Sequence, residues 1–141
     1  MPSGNGSLVF ALARLSYLTG NSDYRLRATN TVAALEVEAM KSFPHGATLL
    51  NAYELLETAV QIVIVGARGD SDTETLLRVV LSTSLPNLVL DVVPDSTTLP
   101  RAHPAHGKTR VNGGATAYVC RGPVCSPPQT TLEGLQQLLA A

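Results

Sequence analysis

Apolar residues recur three or four positions apart up to about Leu56, which aligns them on one face of each of three α-helices. The three sets are Leu8, Leu12, Leu15 and Leu18; Leu26, Ala33, Val37 and Met40; and Leu49, Tyr53 and Leu56. All three residues of the third set are predicted to face inward. Asn5 or Ser7 is predicted to cap the first helix, and Gly20 to end it. Short connections at Gly20 and Pro44 make these helices antiparallel neighbours.

The pattern then changes to dense β-branched runs. Val60–Val65 is such a run, stopped by Gly66, and Leu88–Val93 is a second, so both are predicted to be buried strands. Between them, a helix carrying Leu76–Leu81 is capped near Asp70. Strand, helix and strand at this spacing predict a βαβ unit, in which the two strands are parallel.

The end of the chain adds a third short strand, Thr116–Cys120, and a C-terminal helix. The segment Pro94–Gly114 has no periodicity, and loops of this length are usually functional, mobile or docked on a partner. The predicted fold class is therefore α/β. Antiparallel helices occupy residues 1–58, and a small three-stranded sheet with its βαβ unit and final helix occupies residues 59–141, as two regions or as one compact domain.

Charge is scarce in this chain. Of its 141 residues 45% are hydrophobic and 15% are charged, whereas about a quarter of residues are charged in a typical globular protein. Scarce charge indicates apolar surface that something else covers. The net charge of −1 gives no field toward nucleic acid or anionic lipid, and no uncharged apolar run reaches the ~18 residues of a membrane span. Neither nucleic acid nor a membrane is therefore expected as a partner.

The few charges are unevenly distributed. No carboxylate side chain lies between Asp95 and Glu133, whereas the segment contains Arg101, Lys108, Arg110 and Arg121. A solvated basic loop is favoured over an anion-binding patch, because four cations over so long a segment are few.

Both cysteines lie near the end of the chain, as Cys120 and Cys125 with Arg121 beside the first and Pro123 between them. Activation of a thiol usually needs a helix N-terminus, and the next helix begins only near Thr131. Redox catalysis, a structural or regulatory pairing, and simple packing of two small apolar side chains all stay open, and packing is favoured. The first residues of the chain show no signal-peptide pattern, because no basic stretch precedes an apolar one and Arg14 interrupts the first apolar run, so a reduced cytoplasmic protein is expected.

Other candidates for chemistry are single residues. His45 stands at the start of the third helix and is a catalytic candidate beside Cys120 and Cys125, although a structural role is favoured. Ser3 and Asn5 form a helix-start turn and, like Arg121, are candidates for the edge of a pocket.

No metal or cofactor is expected. His103 and His106 could join the two cysteines as four zinc ligands, but solvated loop histidines are the favoured interpretation. The turn Gly66–Asp70 lacks both the dinucleotide-binding glycine pattern and the phosphate-loop lysine.

Several short motifs follow one another in a distinctive order. They are Pro2-Ser3-Gly4-Asn5, Leu18-Thr19-Gly20, Phe43-Pro44, Val63-Ile64-Val65-Gly66, Leu85-Pro86-Asn87, and Ala115–Cys120 followed by Cys125. In this order they resemble the C-terminal region of the thioredoxin-domain-containing, spermatogenesis-associated protein 20 family, over essentially the whole chain. The resemblance implies a parent protein with an N-terminal thioredoxin-like domain, then a helical toroid of the six-hairpin glycosidase or N-acylglucosamine 2-epimerase-like type, and a terminal α/β unit.

By this resemblance the chain holds only the last helical hairpins and the α/β unit, so Cys120 and Cys125 are not the thioredoxin cysteines. A non-catalytic structural or interaction module of poorly defined activity is expected, either a truncated product or a stand-alone remnant. Its bare helical face would be covered by the remainder of the toroid or by a second copy. The alternatives are a carbohydrate-acting or thiol-redox enzyme fragment, and a module that binds a nucleotide or sugar phosphate at the carboxyl ends of the strands.

Overall fold

The structure, a computed structural model, describes residues 3–41, 46–94 and 98–140. Its elements are α1 (Gly4–Thr19), α2 (Ser22–Lys41), α3 (Ala47–Thr58), β1 (Val60–Val65), α4 (Ser71–Ser82), β2 (Leu88–Val93), β3 (Thr116–Arg121), β4 (Val124–Cys125) and α5 (Leu132–Ala140). They form two compact units, Met1–Ala59, here the helical unit, and Val60–Ala141, here the α/β unit. The α/β class is confirmed.

The first helix begins earlier than its predicted caps. Ser3 is the N-cap residue, and its Oγ accepts a hydrogen bond of 3.0 Å from the backbone N–H of Gly6. Asn5 and Ser7 lie inside the first turn instead, so their prediction as caps is wrong. Gly20 ends the helix as predicted, because its φ of 69° is left-handed and costs glycine little.

The helices pack through small residues rather than through the predicted leucine repeat. In α1 the buried residues are Gly6, Val9, Ala13 and Ser16, whereas Leu8 and Leu15 are exposed. A Cβ atom on Gly6 would lie only 2.8 Å from the backbone nitrogen of Leu49, so α1 and α3 approach closely at this point. The packed face of α1 is therefore the face with the smallest side chains, and most of its large apolar side chains point elsewhere.

The same arrangement recurs in α2. Its buried residues are Ala28, Val32 and Ala39, whereas Leu26, Val37 and Met40 of the predicted stripe are exposed, Met40 by 73%. In α3, Leu49 and Leu56 face inward as predicted, but Tyr53 does not.

The sheet has four strands in the order β2-β1-β3-β4, one more than predicted. β1 and β2 are parallel, as the βαβ pattern requires, whereas β3 pairs with β1 in the antiparallel direction. β4 follows β3 after the two-residue turn Gly122-Pro123. The φ of 57° at Gly122 suits the first central position of a hairpin turn of the II′ type.

Both faces of this sheet are covered. On one face, Ile62, Ile64 and Val119 pack with the apolar residues of α4 and α5. On the other face, Val63, Val65 and Val93 pack with Ala105, and Leu99 contacts the same cluster. The segment before β3, which has no periodicity, therefore contributes to the core.

Candidate functional site

The two cysteines are joined in a disulfide between β3 and β4. Cys120 and Cys125 are directly opposite each other in the antiparallel register, with Cα atoms 4.0 Å apart. The favoured interpretation, two packed free thiols, is thus wrong, because the tight turn at Gly122 brings the residues face to face. Cys120 is buried and Cys125 is exposed. Neither sulfur is a thiolate in this state, so neither can act as a nucleophile or ligate zinc.

The two histidines of the long segment are engaged in local contacts. His103 Nδ1 accepts a hydrogen bond of 3.1 Å from the backbone N–H of Ala105, and its Nε2 lies 3.6 Å from Asp91 Oδ2. His106 Nδ1 lies 3.0 Å from the carbonyl oxygen of Leu99 and must donate, since a carbonyl only accepts. Across residues 3–41, 46–94 and 98–140, no group of three or more ligating side chains is placed to hold a metal ion.

Four other residues are predicted candidates for a pocket edge or a catalytic role. Ser3 and Asn5 line a concavity of about 160 Å³ in the helical unit, together with Glu38 and Leu49. Arg121 belongs to the α/β unit, where it is exposed beside the hairpin turn. His45 lies outside the described residues.

The helical unit has an apolar outer surface. Its exposed large apolar residues, here the outer apolar set, are Leu8, Phe10, Leu15, Leu26, Val37, Met40, Leu50 and Tyr53. A groove of about 290 Å³ runs between α2 and α3 and is lined by Val32, Met40, Leu50 and Tyr53 among others. Exposed apolar side chains grouped in this way are typical of a protein–protein contact.

In the part of the chain that the structure describes, no helix is long and apolar enough to cross a membrane.

A second concavity, of about 230 Å³, lies at the carboxyl end of β2 in the α/β unit. Val93, Leu99 and Ala105 supply apolar walls, and Lys108 is the lining residue that carries a formal charge. Burial lowers the pKa of the Lys108 ammonium group below its usual value. The sequence signal for this site is the stretch without carboxylates around Lys108, which was interpreted above as a solvated loop.

A network of hydrogen bonds and ion pairs links the first turn of α4 to the start of β3. Asp72 Oδ2 accepts from the backbone N–H of Ala115 at 2.6 Å, and Asp72 Oδ1 accepts from that of Thr73 at 3.0 Å. The bond from Ala115 is the largest cause that holds the pKa of Asp72 below its ordinary value, against an opposing contribution from desolvation. Arg110 lies 3.8 Å from Asp72 and 3.9 Å from Asp70. The network connects α4 to the start of β3 and engages the Asp72 carboxylate in two backbone hydrogen bonds and an ion pair.

Comparison with known proteins gives one informative similarity. No family model matches the chain, and no solved structure matches it. Among curated proteins, the chain is 33% identical over 144 aligned residues to "Spermatogenesis-associated protein 20" of Homo sapiens. The alignment covers 98% of the chain but only 18% of the human protein. The resemblance predicted from the order of motifs is confirmed.

Proposed function

Since 98% of the chain aligns at 33% identity with spermatogenesis-associated protein 20 of Homo sapiens, we propose that the chain is a non-catalytic docking module of that family. Its role is to present the outer apolar set to further helical hairpins of the same protein. The observation that carries this proposal is the reversed pattern of α2. There Ala28 and Ala39 are buried while Val37 and Met40 are exposed.

The energetics favour such an occupant. A soluble surface helix normally turns its apolar stripe to the core and its polar residues to water. Burial of a fully exposed large apolar side chain contributes about 1.5–3 kcal/mol. The residues of the outer set keep between 38% (Leu50) and 73% (Met40) of their surface exposed, so each would gain that fraction of the figure. Several such side chains together would stabilise a contact strongly, even after the cost of association is subtracted.

The position within the parent protein is part of the proposal. We place the chain at the C-terminal region, with the helices of residues 1–58 as the last hairpins of a six-hairpin toroid and residues 59–141 as the terminal α/β unit. In such an array each hairpin buries the apolar face of the next, so the missing partner is the preceding hairpin. A second copy of the chain covers the same face when the preceding hairpins are absent. The setting is cytoplasmic, without nucleic acid or membrane as a partner.

A non-catalytic role is supported by the state of the best candidate residues. Cys120 and Cys125 lie opposite each other in a β-hairpin rather than at the helix N-terminus that usually activates a thiol, and Asp72 is engaged with two backbone N–H groups. Turnover of a disulfide or sugar substrate that is lost in Cys120→Ser would overturn this part of the proposal.

The docking surface is tested by charge substitution. The chain is expressed alone and its mass is followed by light scattering over a concentration series. We expect self-association that is abolished in the double variant Val37→Glu and Met40→Glu. Leu81→Glu is the matched control, because Leu81 is an exposed apolar residue of α4 in the other unit.

Addition of a separately expressed helical region from the parent protein then distinguishes the occupants. We expect a one-to-one complex with the chain that replaces the self-associated form and fails in the double variant. A chain that stays monomeric at high concentration and ignores the helical region would contradict the docking role.

A further inference from the structure

The concavity at the carboxyl end of β2 is small and largely apolar. Val93 and Ala105 are buried and Leu99 is partly buried, so three aliphatic side chains form much of its wall, beside the polar side chains of Thr98, His106 and Thr109. Its volume of about 230 Å³ exceeds the ~150 Å³ of an apolar cavity that holds benzene. It falls below the ~300–1,000 Å³ of sites for drug-sized ligands. The space therefore suits a molecule of a few carbon atoms.

Lys108 gives this apolar space a positive charge. Its side chain is partly buried, its ammonium group donates to the carbonyl oxygen of Pro104, and Nζ lies 5.6 Å from the ring centroid of Tyr118. A carbonyl and a ring face hold the ammonium in place without neutralising it. Among the residues described, no carboxylate lines this concavity or forms an ion pair with Lys108.

Burial of the Lys108 ammonium group disfavours its protonated form and so lowers its pKa. An anion placed beside the ammonium group would offset that cost, because its charge favours the protonated form. An ammonium group has three N–H donors, of which the bond to Pro104 uses one. The remaining donors can therefore bind a carboxylate oxygen.

The walls of the concavity are held before any ligand arrives. His106 Nδ1 donates to the carbonyl oxygen of Leu99 at 3.0 Å. The hydroxyl group of Tyr118 donates to the carbonyl oxygen of Thr109 at 2.8 Å. These two bonds fix both ends of the loop that lines the site, and a preformed site loses less entropy when it binds.

We propose that this concavity binds a small aliphatic monocarboxylate. The carboxylate lies on Lys108 Nζ, and the hydrocarbon part lies against Val93, Leu99 and Ala105. Inorganic phosphate is a poorer match, because the polar side chains beside Lys108 are few and the larger part of the lining is apolar. The proposal concerns the α/β unit alone and does not depend on the docking role of the helical unit.

Butyrate, butanol and inorganic phosphate are the probes, and protein-observed NMR titration is the measurement. We expect butyrate to shift the signals of Val93, Leu99 and Ala105, with butanol and phosphate each binding at least about tenfold more weakly. Lys108→Met keeps most of the length of the side chain and removes its charge, so it should weaken butyrate binding by about tenfold or more. Arg101→Met is the control, because Arg101 is an exposed cation of the same segment.

A second variant separates loss of the site from loss of the fold. Ala105→Leu fills the concavity while Lys108 stays in place, and it should abolish the butyrate shifts without spreading changes over α4 and α5. Equal butyrate binding by the wild type and Lys108→Met would overturn the proposal. Phosphate binding as tight as butyrate binding, or no response to butyrate at all, would overturn it as well.

Discussion

Asp72 and Ala115 are joined by a hydrogen bond of 2.6 Å from the backbone N–H of Ala115 to the carboxylate Oδ2 of Asp72. The two residues are far apart in the chain, and the bond connects the first turn of α4 with the start of β3. It anchors the end of the long segment that precedes β3. The contact is therefore a sensitive point for the stability of the α/β unit.

Replacing Asp72 by Asn should lower the melting temperature at neutral pH, because the amide cannot accept from Ala115 and Thr73 as a charged group. The pKa of Asp72 is lowered in the folded state, so its contribution is complete above the ordinary value of 3.8. That contribution is lost as the pH falls through the lower folded value. Thermal melts over this acid range should show wild type and variant converging.

Asp70→Asn is the control for this experiment. Asp70 is the N-cap residue of α4, but its side chain makes no capping hydrogen bond. A pH profile of Asp70→Asn that matches the profile of Asp72→Asn would show that helix charge, and not the bond to Ala115, sets the acid limb.

Lys108→Met should gain stability relative to the wild type at neutral pH. The pKa of Lys108 is lowered in the folded state, so the unfolded chain binds more protons between that value and the ordinary 10.5. Wild-type stability therefore rises with pH across this window, whereas the variant lacks the rise. Urea titrations at neutral and alkaline pH measure the free energy of unfolding of both proteins. A Lys108→Met variant that is less stable than the wild type at neutral pH, and whose stability rises equally at alkaline pH, would contradict the prediction.

Gly6→Ala should destabilise the helical unit. The added Cβ would lie 2.8 Å from the backbone of Thr48 and Leu49, and overpacking of this kind typically costs about 1–3 kcal/mol. Gly4→Ala is a matched control in the same helix, since a Cβ there meets nothing within 4 Å. Because Gly4 is the first residue of α1, the gain from alanine there should stay below the ~0.5–1 kcal/mol expected inside a helix. Urea unfolding should therefore show a clear loss of stability for Gly6→Ala and little change for Gly4→Ala.

The disulfide yields a prediction about the cell. Cys120 and Cys125 are five positions apart, so their bond closes a short loop and stabilises the oxidised chain by about 2 kcal/mol on the chain-entropy model. A dithiol reductant should lower the melting temperature of the wild type and leave that of the double Cys→Ser variant unchanged.

Cytosolic thiols are normally kept reduced, so trapping with an alkylating reagent in intact cells should label both cysteines. A pair that stays bonded in cells would contradict the cytoplasmic placement.

The sequence predicted the elements that are long and uniform. β1 and β2 are six-residue apolar runs separated by a helix, and their parallel pairing follows from that spacing. β4 escaped prediction because two residues carry no period. It is defined by the turn at Gly122 and by its register with Cys120.

The helix faces were predicted less well for a different reason. A period in hydrophobicity shows where apolar side chains lie on a helix, but not which side touches a neighbour. In α1 both the small residues near Gly6 and the leucines near Leu8 recur at helical spacing. The close approach of α1 and α3 at Gly6 selects the face with small residues, and it depends on tertiary packing rather than on the sequence of α1 alone.

The concavity at Lys108 was not predicted from the sequence either, because single hydrogen bonds such as that of His106 order its loop.

The contacts through small side chains also bear on the order of folding and assembly. α1, α2 and α3 complete their mutual contacts through residues such as Gly6 and Ala28, without using most of the outer apolar set. The three helices are close in sequence, so these contacts are mostly local and form early. The side chains of the outer apolar set then stay exposed on a helical unit that is already folded. A defect in the partner would accordingly show as aggregation of folded protein rather than as failure to fold.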